Sequence, residues 1–147
     1  MFEMVTPCGL YCGNCAFYKD GDVRKHAKDL AILLEGFENL VPIIAEHAPE
    51  FRNYEAFGSV LESLSSVQCP GCRAKDVPDH IQDCSFRKCS MEKGVLFCGE
   101  CKDFPCSDAP QKNPPVAEKW RANGDRLRDI GINQYYEEVR KKPRYLH

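Results

Sequence analysis

Three times in this chain two cysteines stand with two residues between them, and each interval holds a glycine: Cys12-Gly13-Asn14-Cys15, Cys69-Pro70-Gly71-Cys72 and Cys98-Gly99-Glu100-Cys101. A tight turn of that length can aim both sulfurs at one ion. Ordinary buried thiols do not repeat at ligand spacing with turn residues between the partners. Cys8, Cys84, Cys89 and Cys106 bring the total to ten. The N-terminal stretch from Met1 to Pro7 has neither a basic start nor an apolar run, so it does not read as an export signal. Thiols that stay in a reducing compartment are expected to remain unpaired by disulfides. The expectation is a cytoplasmic protein whose cysteines are ligands, with zinc as the metal and two or more ions bound.

The middle group offers four sulfurs by itself, Cys69, Cys72, Cys84 and Cys89, with eleven residues between its two pairs, a span that a zinc loop can bridge. Cys84 and Cys89 would fall on different faces of a regular helix, so a loop or irregular turn must bring them together. Four thiolates on zinc leave a net charge of about −2, and Arg73, Lys75, Arg87 and Lys88 stand beside the ligands to offset it. His80 lies between the pairs and could replace one sulfur, but four are already in place. His26, His47 and the terminal His147 have no partner at ligand spacing. Pairing the outer knuckles gives a second set, Cys12, Cys15, Cys98 and Cys101, a clasp between distant parts of the chain whose closure would contribute folding free energy. Cys8 and Cys106 exceed two tetrahedral sites. They are candidates to swap in, to bridge a further metal, or to remain reactive thiols beside a positive centre.

The stretches around these clusters read as helices. Leu30, Leu33, Leu34 and Phe37 repeat at helical spacing, and Leu40, Val41 and Ile44 continue the stripe after a break at Gly36 and Asn39. Pro42 suits the first turn of a short second helix and Pro49 closes it. Phe57, Val60, Leu61 and Leu64 mark a third helix, with Asn53 as its cap. Pro114-Pro115 can open another, carrying Val116, Trp120 and Leu127 into a core until Gly131 ends it, and Ile132, Tyr135, Tyr136 and Val139 follow. Val95-Leu96-Phe97 is the only extended candidate. The expected fold is mainly α, small and metal-stabilised, with helices at both ends around cysteine-rich loops and little or no β. A single domain over 1–147 would comprise an N-terminal cysteine loop (1–20), a helical segment (21–66), a knuckle segment (67–107) and C-terminal helices (108–147).

Charge and hydropathy narrow the function. No run approaches the ~18 apolar residues of a membrane helix. The formal net charge of −2, taken to about −6 by eight thiolates on two zinc ions, offers no general attraction to phosphate backbones. Residues 115–147 carry eight Lys or Arg against five Asp or Glu, too slight a surplus for a nucleic-acid stripe.

Taken in order, Pro7-Cys8-Gly9-Leu10-Tyr11-Cys12-Gly13-Asn14-Cys15, Cys69-Pro70-Gly71-Cys72-Arg73, Cys84-Ser85-Phe86-Arg87-Lys88-Cys89, Glu92-Lys93-Gly94, Cys98-Gly99-Glu100-Cys101, Phe104-Pro105-Cys106 and Arg126-Leu127-Arg128-Asp129-Ile130-Gly131 form one run of signatures. Together they resemble a cysteine-rich bacterial and archaeal family, domain of unknown function 3795. The resemblance implies zinc binding and carries no established activity. The leading expectation is therefore a non-enzymatic zinc protein with closed structural sites that support a surface for another protein. The alternative is an iron–sulfur or thiol-redox protein using the N-terminal group with Cys98, Cys101 and Cys106. Cys8, Cys12 and Cys15 share the three-cysteine spacing of radical S-adenosylmethionine enzymes, but the strand–helix alternation of such barrels is missing. Glu92, Glu100 and Asp103 lie near the knuckles, and nothing marks one of them as a general base. No catalytic constellation emerges, and the sequence leaves the oligomeric state open.

Overall fold

The computed structural model describes residues 2–106 and 114–145, with the side chains of His80, Pro114 and Pro115 outside that description. His147 and the stretch 108–113 of the expected C-terminal segment also lie outside it. The chain divides into two compact units, Cys15–Gln68, and Met1–Asn14 together with Cys69–His147.

The first unit is helical. Helix α1 (Asp22–Leu33) starts after Gly21 with Asp22 in its first turn, where a negative charge meets the positive end of the helix dipole. Gly36, at φ 82°, turns the chain into a 3-10 segment (Phe37–Asn39). The short helix α2 (Val41–Ile44) takes Pro42 in its first turn, where the missing N–H would have had no partner. A further 3-10 segment (Pro49–Asn53) leads into α3 (Tyr54–Ser65), which packs against α1. Arg24 ties α1 to the end of α3, donating through Nε to the Ser65 carbonyl at 3.1 Å. Phe37 lies 5.3 Å from the ring of Tyr54 and 6.0 Å from Phe51.

Two expectations for this unit need correction. Asn53 occupies the N-cap position of α3 but makes no side-chain cap bond; its amide turns back to the Glu50 carbonyl at 3.5 Å. The apolar stripe is also narrower than the sequence pattern. Leu33 is 80% exposed and Val60 59%, and Leu30, Leu40 and Phe57 of the same stripes are exposed as well; Val60 sits about 100° round α3 from the half-buried Leu61.

The second unit gathers both ends of the chain. Its elements are α4 (Asp79–Gln82), α5 (Ser85–Glu92), a 3-10 turn (Cys98–Glu100) and α6 (Pro114–Val139). Gly131 breaks α6 with φ 72° and ψ 163°, a conformation essentially restricted to glycine, so the expected helix end falls where the sequence placed it. Beyond the kink the helix resumes, and Arg126 crosses back to hold Glu138 at 2.6 Å. Trp120, Leu127, Tyr135 and Tyr136 are buried as expected, whereas Val116 is exposed in the first turn. One core packs Val5, Tyr11, Phe97 and Leu127 with Tyr135 and Tyr136. A second packs Phe86, Phe104 and Trp120.

Val95-Leu96-Phe97 forms no strand. Phe97 is extended, at φ −132° and ψ 140°, and it enters the core just before the 3-10 turn while Leu96 stays exposed. Among the described residues the only β pairing is an isolated bridge between Val5 and Tyr11, so the architecture is mainly α. No helix among them is long and apolar enough to cross a membrane.

Candidate thiolate sites

None of the ten cysteines is in a disulfide. What the chain does with them begins at the N-terminal loop, which is closed by short-range bonds. The Thr6 amide donates to the Leu10 carbonyl at 2.8 Å, and the Leu10 amide donates to Thr6 Oγ1 at 2.9 Å. Thr6 Oγ1 also shares a hydrogen bond with Cys8 Sγ at 3.1 Å. This loop delivers Cys8 to the second core, beside Cys84, Cys98, Cys101 and Cys106. Cys12 is anchored by its amide to the Met4 carbonyl at 2.7 Å.

Across from the loop stands the second knuckle. The thiols of Cys12 and Cys72 are hydrogen-bonded to each other, and the Cys72 amide also faces the Cys12 sulfur. The hydrogen bond from Cys72 is the largest influence on Cys12; with help from Arg144 and Arg73 it outweighs burial and holds that thiol at about 6. Cys72 is pushed up, first by its hydrogen bond with Cys12 and then by burial, with Cys12 and Cys8 as the neighbours whose charge opposes its ionisation. Burial raises Cys8, and the neighbouring Cys84 adds to the rise.

A second convergence lies around the last knuckle. Burial raises Cys89, and the charged groups facing it are Lys93, Cys106, Cys101 and Glu92. Burial likewise pushes Cys98 up to about 11, against the Trp120 indole N–H, which faces its sulfur and favours the thiolate. That indole nitrogen makes no complete hydrogen bond although the residue is only 3% exposed. The loop is held at both ends. Lys93, after the end of α5, pairs with Asp103 at 2.5 Å. Arg128 on α6 donates to the carbonyls of Gly99, Cys101 (2.5 Å) and Phe104 (3.0 Å) while lying over the Phe104 ring. Gly99 and Gly124 allow this approach, since a Cβ on Gly99 would meet the Gly124 carbonyl oxygen at 2.7 Å.

The cations named from sequence divide by role. Arg73 donates to the Val5 carbonyl at 2.8 Å and the Leu96 carbonyl at 2.6 Å, and its charge acts on Cys12. Arg87 holds the carbonyls of Cys72 and Ala74 at 2.9 and 3.1 Å. Lys88 pairs instead with exposed Asp83, and Lys75 is exposed. Sequence reasoning missed Arg128, Arg144 and Trp120. Arg144 reaches the Tyr11 carbonyl at 2.6 Å and acts on Cys12 and Cys8. Arg128 stands inside the quoted C-terminal signature, which was the signal available. Asp103 is engaged with Lys93 and Glu100 is exposed, so neither is placed as a base for any nucleophile shown here.

Among the described residues, no three cysteine, histidine, aspartate or glutamate side chains are grouped as placed so as to hold one metal ion. The donors are nevertheless thiophilic in kind, although no three of them are placed for one ion among the described residues. The set is almost wholly thiol, which selects zinc or iron–sulfur over hard cations, and the Trp120 N–H is an unspent donor of the kind that supports a thiolate ligand.

A small, cysteine-rich, mainly helical protein is the class that this fold defines. The chain belongs to the family described as "Protein of unknown function (DUF3795)", whose model matches residues 4–111. No curated protein and no solved structure matches it.

Proposed function

We propose that the chain is a zinc–thiolate protein whose metal sites are structural and support a surface for another protein. The observation that carries this is the meeting of Cys12 and Cys72, thiols from two different knuckles, in one hydrogen-bonded pair. Sulfurs brought together from two knuckles are donors that one metal ion can share. Ligands drawn from both ends of the unit also make metal binding a folding term, worth about 10–16 kcal/mol at structural zinc sites in small peptides.

Elemental analysis of anaerobically purified protein, with helicity followed during chelation, tests the reading. Zinc in stoichiometric amount and loss of structure on chelation support it. Iron with a visible absorption band would favour the iron–sulfur alternative, and metal-free protein with unchanged helicity would defeat both.

A further inference from the structure

The unit Cys15–Gln68 carries an apolar groove whose walls hold no cysteine. It measures about 440 Å³ and is formed by the C-terminal half of α1, the two 3-10 segments and the start of α3. Leu30, Leu34, Phe37, Phe51, Tyr54 and Phe57 line it, and Glu50 is the charged residue in its wall. The rings form a continuous run, with the Phe37–Phe51, Phe37–Tyr54 and Tyr54–Phe57 centroids 6.0, 5.3 and 5.8 Å apart. Leu30 and Phe57 are exposed within it, and Leu40 and Ile43 are exposed on the same unit. Exposed apolar surface of this kind, edged by polar groups, marks a binding face.

The charge around the groove is acidic. Asp29, Glu35, Glu38 and Glu55 each stand next in sequence to a lining residue, and with Glu50 they make five carboxylates against one cation, Arg52. All five are exposed, and none is in an ion pair among the described residues.

We propose that this groove docks a basic amphipathic helix of a partner protein, its apolar edge against the rings and its lysines or arginines facing the carboxylates. This rests on the protein-interaction half of the reading above, and says where that surface lies and what it recognises. Charge selects the occupant. A second copy meeting the same face would set carboxylate against carboxylate, and an anionic lipid surface is repelled in the same way. Form follows from the unit itself, which has no strand to offer an edge for β-addition. A helix with apolar anchors at i, i+3, i+4 and i+7 suits a groove walled by rings and leucines.

The test titrates full-length protein into a fluorescein-labelled peptide of about 18 residues, leucine at i, i+3, i+4 and i+7 and lysine elsewhere, and reads anisotropy. One control peptide has the same composition in scrambled order, and another has glutamate in place of lysine. Saturable binding should be about 10-fold or more tighter than for either control, and should weaken as salt rises. Phe57→Lys should weaken it about 10-fold or more, and Glu50→Lys about 3-fold. Because a variant can fail to fold, amide shifts of the unsubstituted, isotope-labelled chain are mapped as peptide is added; they should cluster between Asp29 and Phe57. Equal affinity for the scrambled peptide, shifts clustered outside that stretch, or binding unchanged in Phe57→Lys would overturn the proposal. So would a dimer in the ultracentrifuge that Phe57→Lys dissociates, which would give the face to a second copy. Metal content is measured on the same samples. Zinc-loaded protein that binds no peptide overturns the groove and leaves the zinc reading standing, and a metal-free chain that binds it does the reverse.

Discussion

Cys12 and Cys72, sixty positions apart in the chain, share a hydrogen bond between their thiols. The N-terminal loop and the second knuckle are thereby joined at their sulfurs. In metal-free protein this pair is predicted to be the first to cross-link under a mild thiol oxidant such as diamide, the diamide being reduced as the disulfide forms. Zinc loading should slow the reaction at least 10-fold by occupying the sulfurs. Peptide mapping by mass spectrometry checks it; a first cross-link between other cysteines would contradict the placement.

Arg128 caps three carbonyls of the last knuckle loop and stacks on Phe104. Arg128→Ala should cost about 2–3 kcal/mol, given 1.5–3 kcal/mol for a hydrogen bond to a charged group and partial replacement by water. Arg128→Lys should recover less than half, since an ammonium cannot reproduce the planar fork. Denaturant unfolding measures both.

Gly124 faces the Phe104 ring at a distance that leaves no room for a methyl group, and Gly99 meets the Gly124 backbone. Gly124→Ala gains helix propensity yet is expected to destabilise by about 1–3 kcal/mol through overpacking. Gly131→Ala should cost a similar amount, about 1–3 kcal/mol, for a different reason: open space surrounds it, and the penalty is backbone strain at φ 72°. Enlarging the space beside Phe104 with Phe104→Leu should partly rescue Gly124→Ala and leave Gly131→Ala unchanged.

Arg126 spans the Gly131 kink to Glu138, and its hydrogen bond holds the Glu138 carboxyl below the usual 4.5. A carboxylate depressed in the folded state contributes stability that is fully present above its unfolded value and is lost as pH falls through the folded one. The wild type should therefore lose stability below about pH 4.5 in a component absent from Glu138→Gln. The pair is solvent-screened, so that component should also shrink at high salt. Thermal unfolding against pH at two ionic strengths reads it.

Much of this was legible in the sequence. The helical stripes located α1 and α3, Pro42 marked the start of α2, and the Gly131 break in α6 followed from one residue with one conformational property. Leu33 and Val60 misled because apolar character alone does not say which side of a helix finds a partner. Asn53 misled because a cap residue's amide has other carbonyls to choose from. For the cysteines, spacing is a local signal and could not say which of them meet, since the approach of α6 to the last cysteine loop depends on Arg128, Gly99 and Gly124. Trp120 read as core, and nothing in its spacing announced an indole N–H facing Cys98.

The central claim is that these thiols serve as metal ligands. Native mass spectrometry of the full chain, purified anaerobically without added metal and then alkylated before and after chelation, tests it most directly. The account predicts two zinc ions per chain, with at least eight thiols blocked from alkylation until a chelator removes the metal. A folded, metal-free chain in which all ten thiols react at once would contradict it.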